Sequence, residues 1–135
     1  MKTKMFSVVA LIAGLAISYS FMVSDAGDPW VVPDKYKNMK NPVKADKASL
    51  TAGAALWTKH CASCHGKKGL GDGSKAAQLD TQPGDFTDKK VQAQTDGSIF
   101  YKSWEGRDDM PSFKKKIPDQ EDIWNLVNYI RSLGK

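Results

Sequence analysis

The sequence predicts an all-α domain. Three segments carry helical periodicity, no segment of comparable length alternates as a strand would, and the stretches between the helices are long and poor in large apolar groups. At 135 residues the chain has room for one compact domain with appendages, which excludes a multidomain enzyme. Lys and Arg total 20 against 15 Asp and Glu, a net charge of +5. So modest an excess suits a soluble protein that meets acidic docking surfaces, and no nucleic-acid partner is expected.

At the N-terminus, Lys2 and Lys4 precede an apolar run over 6–23, and Ser24, Asp25 and Ala26 follow it. That order reads as a secretory signal over 1–26. Retention of 6–23 as a membrane anchor is the alternative, because 18 residues reach the lower limit of a span. Either way the rest of the chain is expected outside the cytoplasm, in a periplasm or its equivalent. Residues 27–47 carry Pro29, Pro33 and Pro42 among lysines and are expected to form an extended arm. Trp30, Val31 and Val32 give it something to bury as a strap; a tether or a docking device is the other reading. Met39, in the same arm, has no evident structure to hold it. The domain proper is expected over 48–135.

The first helix is expected to start near Ser49, as its cap, and places Ala52, Leu56, Trp57 and His60 at helical spacing. Gly53 in its interior points to a close backbone approach. A second helix runs from Asp96 or Gly97 to Glu105, with Gly106 just past its end. The third has Asp119 as N-cap and Glu121 and Asp122 in its first turn. Its apolar stripe is Ile123, Leu126, Val127, Ile130 and Leu133, and Gly134 follows. The stretch 66–95, by contrast, contains five glycines, one proline and few large apolar groups. A large apolar cofactor at the centre would supply the interior that this stretch lacks.

Such a cofactor has an attachment point. The first helix runs into Cys61-Ala62-Ser63-Cys64-His65, the spacing by which c-type haem is bound. On a helix, positions three and four apart share a face, so both thiols and the imidazole of His65 can project toward one macrocycle. A redox-active CxxC pair would need a βαβ setting that this chain lacks. A zinc site would have to draw His60, Cys61, Cys64 and His65 from a single turn, whereas zinc sites join ligand pairs from separated segments. Beyond residue 26 the methionines are Met39 and Met110, and Met110 stands between Gly106 and Pro111 in a loop. Taken alone, a loop methionine is as well explained as a gap-filler.

With these motifs in place the chain resembles the class I c-type cytochromes. The residues that carry the resemblance are Gly53-x-x-x-Trp57, CASCHGKKGLGDG from Cys61 to Gly73, DMPSF from Asp109 to Phe113 and IWNLVNYIRSL from Ile123 to Leu133. They span nearly the whole exported part, and the arm is similar to the lead segment of certain bacterial monohaem cytochrome domains. The resemblance implies a cytochrome c fold, three main helices and long loops wrapped around one haem c bound covalently to Cys61 and Cys64. It implies iron ligation by His65 and by Met110, whose Met-Pro pairing and following Phe113 match the family's distal ligand. It also implies packing of Gly53 against Tyr129 with Leu126 beside them, and an acceptor for the His65 imidazole N–H in the carbonyl of Pro83. His60, on the helix that already serves the proximal side, is read as a packing or surface histidine.

Trp104 and Arg107 flank the methionine loop and can donate to a haem propionate. Lys67, Lys68 and Lys114 to Lys116 follow the two ligand regions and can steer acidic partners. The function expected is that of a one-electron carrier, not an enzyme, a monomer passing electrons between respiratory redox partners that include membrane complexes. The alternative is a dedicated cytochrome subunit docked to a larger periplasmic redox enzyme, with the arm as attachment device. A third reading is a haem peroxidase or gas sensor in which Met110 leaves the iron.

Overall fold

A computed structural model describes residues 29–134. The expected signal over 1–26 and span over 6–23 lie outside the described residues, as do Gly27 and Asp28 of the arm. The chain divides into two compact units, Met1–Trp30 and Val31–Lys135, and of the first only Pro29 and Trp30 are described. No helix among the described residues is long and apolar enough to cross a membrane.

The second unit is helical. In chain order it contains α1 (Asp34–Lys37), α2 (Lys47–His60), α3 (Ala62–His65), a 3-10 turn (Ala76–Gln78), α4 (Lys89–Gln92), α5 (Asp96–Glu105) and α6 (Gln120–Leu133). Among the described residues there is no strand; one isolated bridge pairs Arg107 with Met110. Among the described residues the chain therefore forms three main helices and long loops, with short helical turns inside the loops.

Each main helix starts on a side-chain cap. The carboxylate of Asp46 accepts from Ser49 N in α2, the hydroxyl of Thr95 from Ser98 N in α5, and the carboxylate of Asp119 from Glu121 N in α6. The first of these corrects the expected start: the cap is Asp46, three residues before Ser49, and Ser49 lies buried inside the helix. Ser49, Gly53 and Trp57, four apart, form the buried stripe of α2. They face α6, whose buried side carries Ile123, Leu126, Val127 and Ile130 together with Asn125 and Asn128. The crossing is close because of Gly53. A Cβ there would lie 2.3 Å from the carbonyl oxygen of Asn125 and 2.7 Å from Cβ of Tyr129, so any side chain must push the helices apart. The expected Gly53–Tyr129 packing is present.

The core joins Trp57, Cys61, Ile99, Phe100, Phe113, Ile117 and the apolar side of α6. Segment 66–95 adds little: Ala76 is buried, and Phe86 is the residue of that segment packed against the cluster. The interior is therefore one-sided, as the composition of the loop anticipated.

The arm differs from expectation. It is not simply extended, because α1 forms within it and packs on α5. The approach is closest at Gly97, where a Cβ would fall 1.8 Å from the carbonyl oxygen of Tyr36. Thr95 donates its hydroxyl to Lys37 O at 2.8 Å, and the Tyr36 and Tyr101 rings meet at 4.7 Å. Met39 is held, contrary to expectation: it is half-buried and packs with Tyr36 and Val43 against the core. Val31, expected to be covered, is 77% exposed.

Further along, the arm is stitched to α6 by amides. Asn41 donates to Asn128 Oδ1 at 2.8 Å and to Trp124 O at 3.2 Å; Asn128 donates in turn to Val43 O at 3.1 Å and to Ser49 Oγ at 2.9 Å. Asn128 is 6% exposed, so its removal leaves several buried polar groups unpaired. Asn128→Ala is expected to cost about 2–3 kcal/mol in denaturant unfolding of the haem-loaded protein. An unchanged unfolding midpoint would show that the arm lies on the domain without stabilising it.

Candidate cofactor site

Helix α2 gives way at Cys61, whose N–H still donates to Trp57 O at 2.8 Å, and α3 carries the motif onward to His65. Three backbone bonds then wrap the following loop around this turn: Gly71 N to His65 O, Gly73 N to Cys64 O and Lys75 N to Ser63 O. No disulfide joins the two cysteines, of which Cys61 is buried and Cys64 half-buried. Burial, with a smaller contribution from neighbouring Cys64, pushes the Cys61 thiol up to about 12. This is the reverse of the low-pKa thiolate that a redox CxxC pair requires.

His65 is enclosed by rings. Trp57 lies 5.8 Å from it and Phe86 4.9 Å, the latter edge-on, while Trp57 and Phe86 meet each other edge-on at 5.2 Å. Trp57 is itself anchored by a bond from its indole N–H to Gly66 O at 3.0 Å. Burial lowers the imidazole pKa, which favours the neutral ring that a metal ligand must be. Its Nδ1 is buried without a hydrogen-bond partner. The bond expected to the Pro83 carbonyl is thus not made in this structure; that carbonyl lies against Gly71, 2.4 Å from where a Cβ would stand.

Met110 sits in a tight turn after α5 ends at Gly106. The turn is closed twice, by Arg107 N to Met110 O at 2.8 Å and Met110 N to Arg107 O at 2.9 Å, with Asp108 at φ 51°. Met110 is half-buried and packs against the cluster that contains Cys61. The flanking Asp109 accepts from Thr81 N at 3.0 Å, joining the methionine turn to the loop that bears Pro83. Beyond Pro111, Phe113 is buried and its ring lies 5.9 Å from His60, which adjoins Cys61. His60 therefore packs, as expected of it, and its pKa is lowered by burial and then by Lys59 and Lys116.

Trp104 stacks on Phe100 at 5.7 Å, Phe100 on Trp124 at 4.3 Å, and Trp104 O accepts from the Ser112 hydroxyl, so the tryptophan braces the methionine loop. Arg107 pairs with Asp108 at 3.2 Å. Of the lysine clusters, Lys114 pairs with Glu105 at 2.6 Å and Lys116 covers the Phe113 ring, while Lys67, Lys68 and Lys115 are exposed. A surface groove of about 510 Å³ between α2 and α6, lined by Leu50, Ala54 and Tyr129 among others, includes none of the four candidate ligand and attachment residues.

The residues present fit a haem. Two cysteine sulfurs not joined to each other and a buried imidazole, its pKa lowered by burial, occupy adjoining helical turns, the imidazole Nδ1 lacks a protein partner, and the loop above supplies almost no core of its own. Residues 48–130 match the family model described as cytochrome c oxidase, cbb3-type, subunit III. The chain belongs to this family of c-type cytochromes. As a monohaem class I cytochrome it carries covalent haem c, with Cys61 and Cys64 at the CxxCH spacing, and its domain is an electron-transfer module.

Solved structures agree with this assignment. One chain of the Kuenenia stuttgartiensis reducing HAO-like protein complex Kustc0457/Kustc0458 is 27% identical, with a TM-score of 0.63 over 72% of the cytochrome and 50% of that chain. The cytochrome thus spans half the length of that neighbour. The KustC0563 c-type cytochrome is 30% identical, with a TM-score of 0.52 over 62% of this chain and 98% of that one. No curated protein sequence matches it significantly.

What sequence reasoning did not find is the support around His65. Phe86 stands three residues after Pro83, but nothing in the sequence pattern marks an edge-on ring, and Gln92 and Arg131 carry no motif.

Proposed function

We propose that this cytochrome is an exported one-electron carrier, its iron held by His65 and Met110, working between respiratory redox partners. The observation that carries the reading is the Cys61–Cys64–His65 turn with a buried, neutral imidazole whose Nδ1 has no protein partner. A bound haem supplies a one-electron couple at iron. The protein's part is to keep two ligands still. His65 is wedged between Trp57 and Phe86, and Met110 rides on a turn closed by two backbone bonds. Ligands that stay in place when charge changes keep reorganisation small. Held by the imidazole of His65 and the thioether of Met110 in apolar surroundings, a bound haem would have a higher reduction potential than one held by two imidazoles. The exposed Lys67, Lys68 and Lys115 offer positive charge to acidic partners.

Two measurements test this. The intact mass of the exported protein reports whether residues 1–26 are removed and whether one haem is attached. Carbon monoxide added to the reduced protein at neutral pH is expected to leave the visible spectrum unchanged, because Met110 closes the iron. Rapid spectral change would instead favour the gas-binding or peroxidase reading. The second reading, a dedicated subunit of a larger redox enzyme, gains support from the likeness to one chain of a HAO-like complex. Gel filtration of protein from its native source separates the two: a monomer for the carrier, a stable larger complex for the subunit.

A further inference from the structure

Met110 rides on a turn that is fastened to two separate parts of the chain. Toward the end of α5 the support is dense. Ser112 donates its hydroxyl to Trp104 O at 2.8 Å, and Phe113 N–H donates to Ser103 O at 3.3 Å. Gly106 approaches so closely that a Cβ there would stand 2.4 Å from Ser112 N and 2.6 Å from Met110 O. Toward the loop that bears Pro83 the turn is held by a side chain: the carboxylate of Asp109 accepts from Thr81 N at 3.0 Å, across 28 positions of sequence.

That bond joins the two loops that carry the candidate ligands. Thr81 stands two residues before Pro83, the carbonyl of Pro83 lies against Gly71, and Gly71 N donates to His65 O at 2.9 Å. The methionine turn is thereby tied to the backbone of the imidazole turn. The two bonds exchanged by Arg107 and Met110 fix the internal form of the methionine turn, with Asp108 at φ 51°, in the left-handed region that a residue with a side chain enters at a cost. They do not fix where the turn stands relative to the loop it faces. Bonds that leave the turn must do so, and Asp109, adjoining Met110, makes one of them.

We propose that Asp109 is a positioning residue for Met110, a latch that keeps the thioether at the iron by tying its turn to Thr81. The proposal rests on the reading of Met110 as iron ligand. A methionine that leaves and returns opens the iron for the fraction of time it is away, and an added ligand binds with an affinity scaled by that fraction. Asp109 and Thr81 are both exposed, so water competes for their bond. Its loss is expected to raise the open fraction about fivefold, the factor that corresponds to one net hydrogen bond.

The test titrates the haem-loaded ferric protein, as exported, with free imidazole and follows the weak long-wavelength band that a thioether ligand gives ferric haem. Asp109→Ala is expected to bind imidazole about fivefold more tightly than the parent. Asp109→Asn removes the charge but keeps a carbonyl oxygen that can accept from Thr81 N–H, and the parent affinity is expected. Asn128→Ala, which loosens the arm, is expected to melt earlier with imidazole affinity unchanged. Asp109→Ala with the parent affinity overturns the proposal even if it melts earlier, since the contact is then only structural. Asp109→Asn binding as tightly as Asp109→Ala overturns it too, because charge and not the bond is then responsible. The reading beneath is tested separately in the parent: a ferric parent without the thioether band removes Met110 as ligand, and the proposal with it.

Discussion

Gly53→Val is expected to lower the stability of the haem-loaded protein by about 3 kcal/mol or more, a large part of the roughly 5–15 kcal/mol that a domain of this size has. The reason is that the obstacle is backbone. The nearest atom to an added Cβ is the Asn125 carbonyl oxygen at 2.3 Å, inside a helix that cannot yield locally, and the next is Tyr129 Cβ at 2.7 Å. The helices must separate, and the contact between Trp57 and Tyr129, rings 5.9 Å apart, loosens with them. Gly53→Ala makes the argument sharper. Alanine is the better helix former by about 1 kcal/mol, so a propensity argument predicts stabilisation, whereas the crossing predicts a loss. Thermal unfolding reads the outcome, with a fall of roughly 15 °C corresponding to 3 kcal/mol at this chain length. A Gly53→Ala protein as stable as the parent would show that α2 and α6 do not depend on this approach.

That position also illustrates what the sequence makes legible. A glycine at a buried helical position has few physical explanations, and the apolar stripe of α6 with its acidic first turn has one, so the two principal helices and a close approach at Gly53 could be read directly, while the partner Tyr129 was implied by the resemblance to class I c-type cytochromes. The attachment motif was equally plain, because thiols and imidazole at helical spacing leave little alternative chemistry. The arm was not. Its prolines and lysines describe an exposed connection, yet α1 forms beside Pro33, and Asn41 and Asn128, ordinary polar residues in the sequence, lock the segment to α6 across more than eighty positions. Long-range amide pairs leave no periodic trace. The same holds for Gln92, whose bonds to Phe86, Ile130 and Arg131 gain their meaning only when those residues are adjacent.

Where propensity misplaced a boundary, a competing side chain explains it. Ser49 and Asp46 are both good caps. Asp46 takes the role, accepting from Ser49 N at 3.0 Å, and this frees the Ser49 hydroxyl to receive Asn128. The cap of α2 and the stitch of the arm are therefore one arrangement. Shifting the helix start to Ser49 would cost the arm its buried anchor.

Met110→Ala is expected to have the largest effect on redox properties, giving a folded, haem-loaded protein whose reduction potential is lower by on the order of 0.2 V, within the roughly 0.8 V that axial ligation spans. Folding survives because the turn does not depend on the side chain: Arg107 and Met110 exchange backbone bonds that alanine can make equally well, and Asp109 still accepts from Thr81. Losing the half-buried side chain costs about 1–2 kcal/mol of packing against the core, less than the crossing at Gly53. On the proposed ligation, what changes is access to the iron. With a methyl group in place of a thioether, the reduced variant is expected to bind carbon monoxide rapidly at neutral pH while the parent does not, and its visible spectrum should shift before any gas is added. Potentiometric titration and the two spectra decide the matter together. If Met110→Ala keeps the parent spectrum and potential, another group closes the iron, and the division of labour between the α3 turn and the methionine turn has to be redrawn.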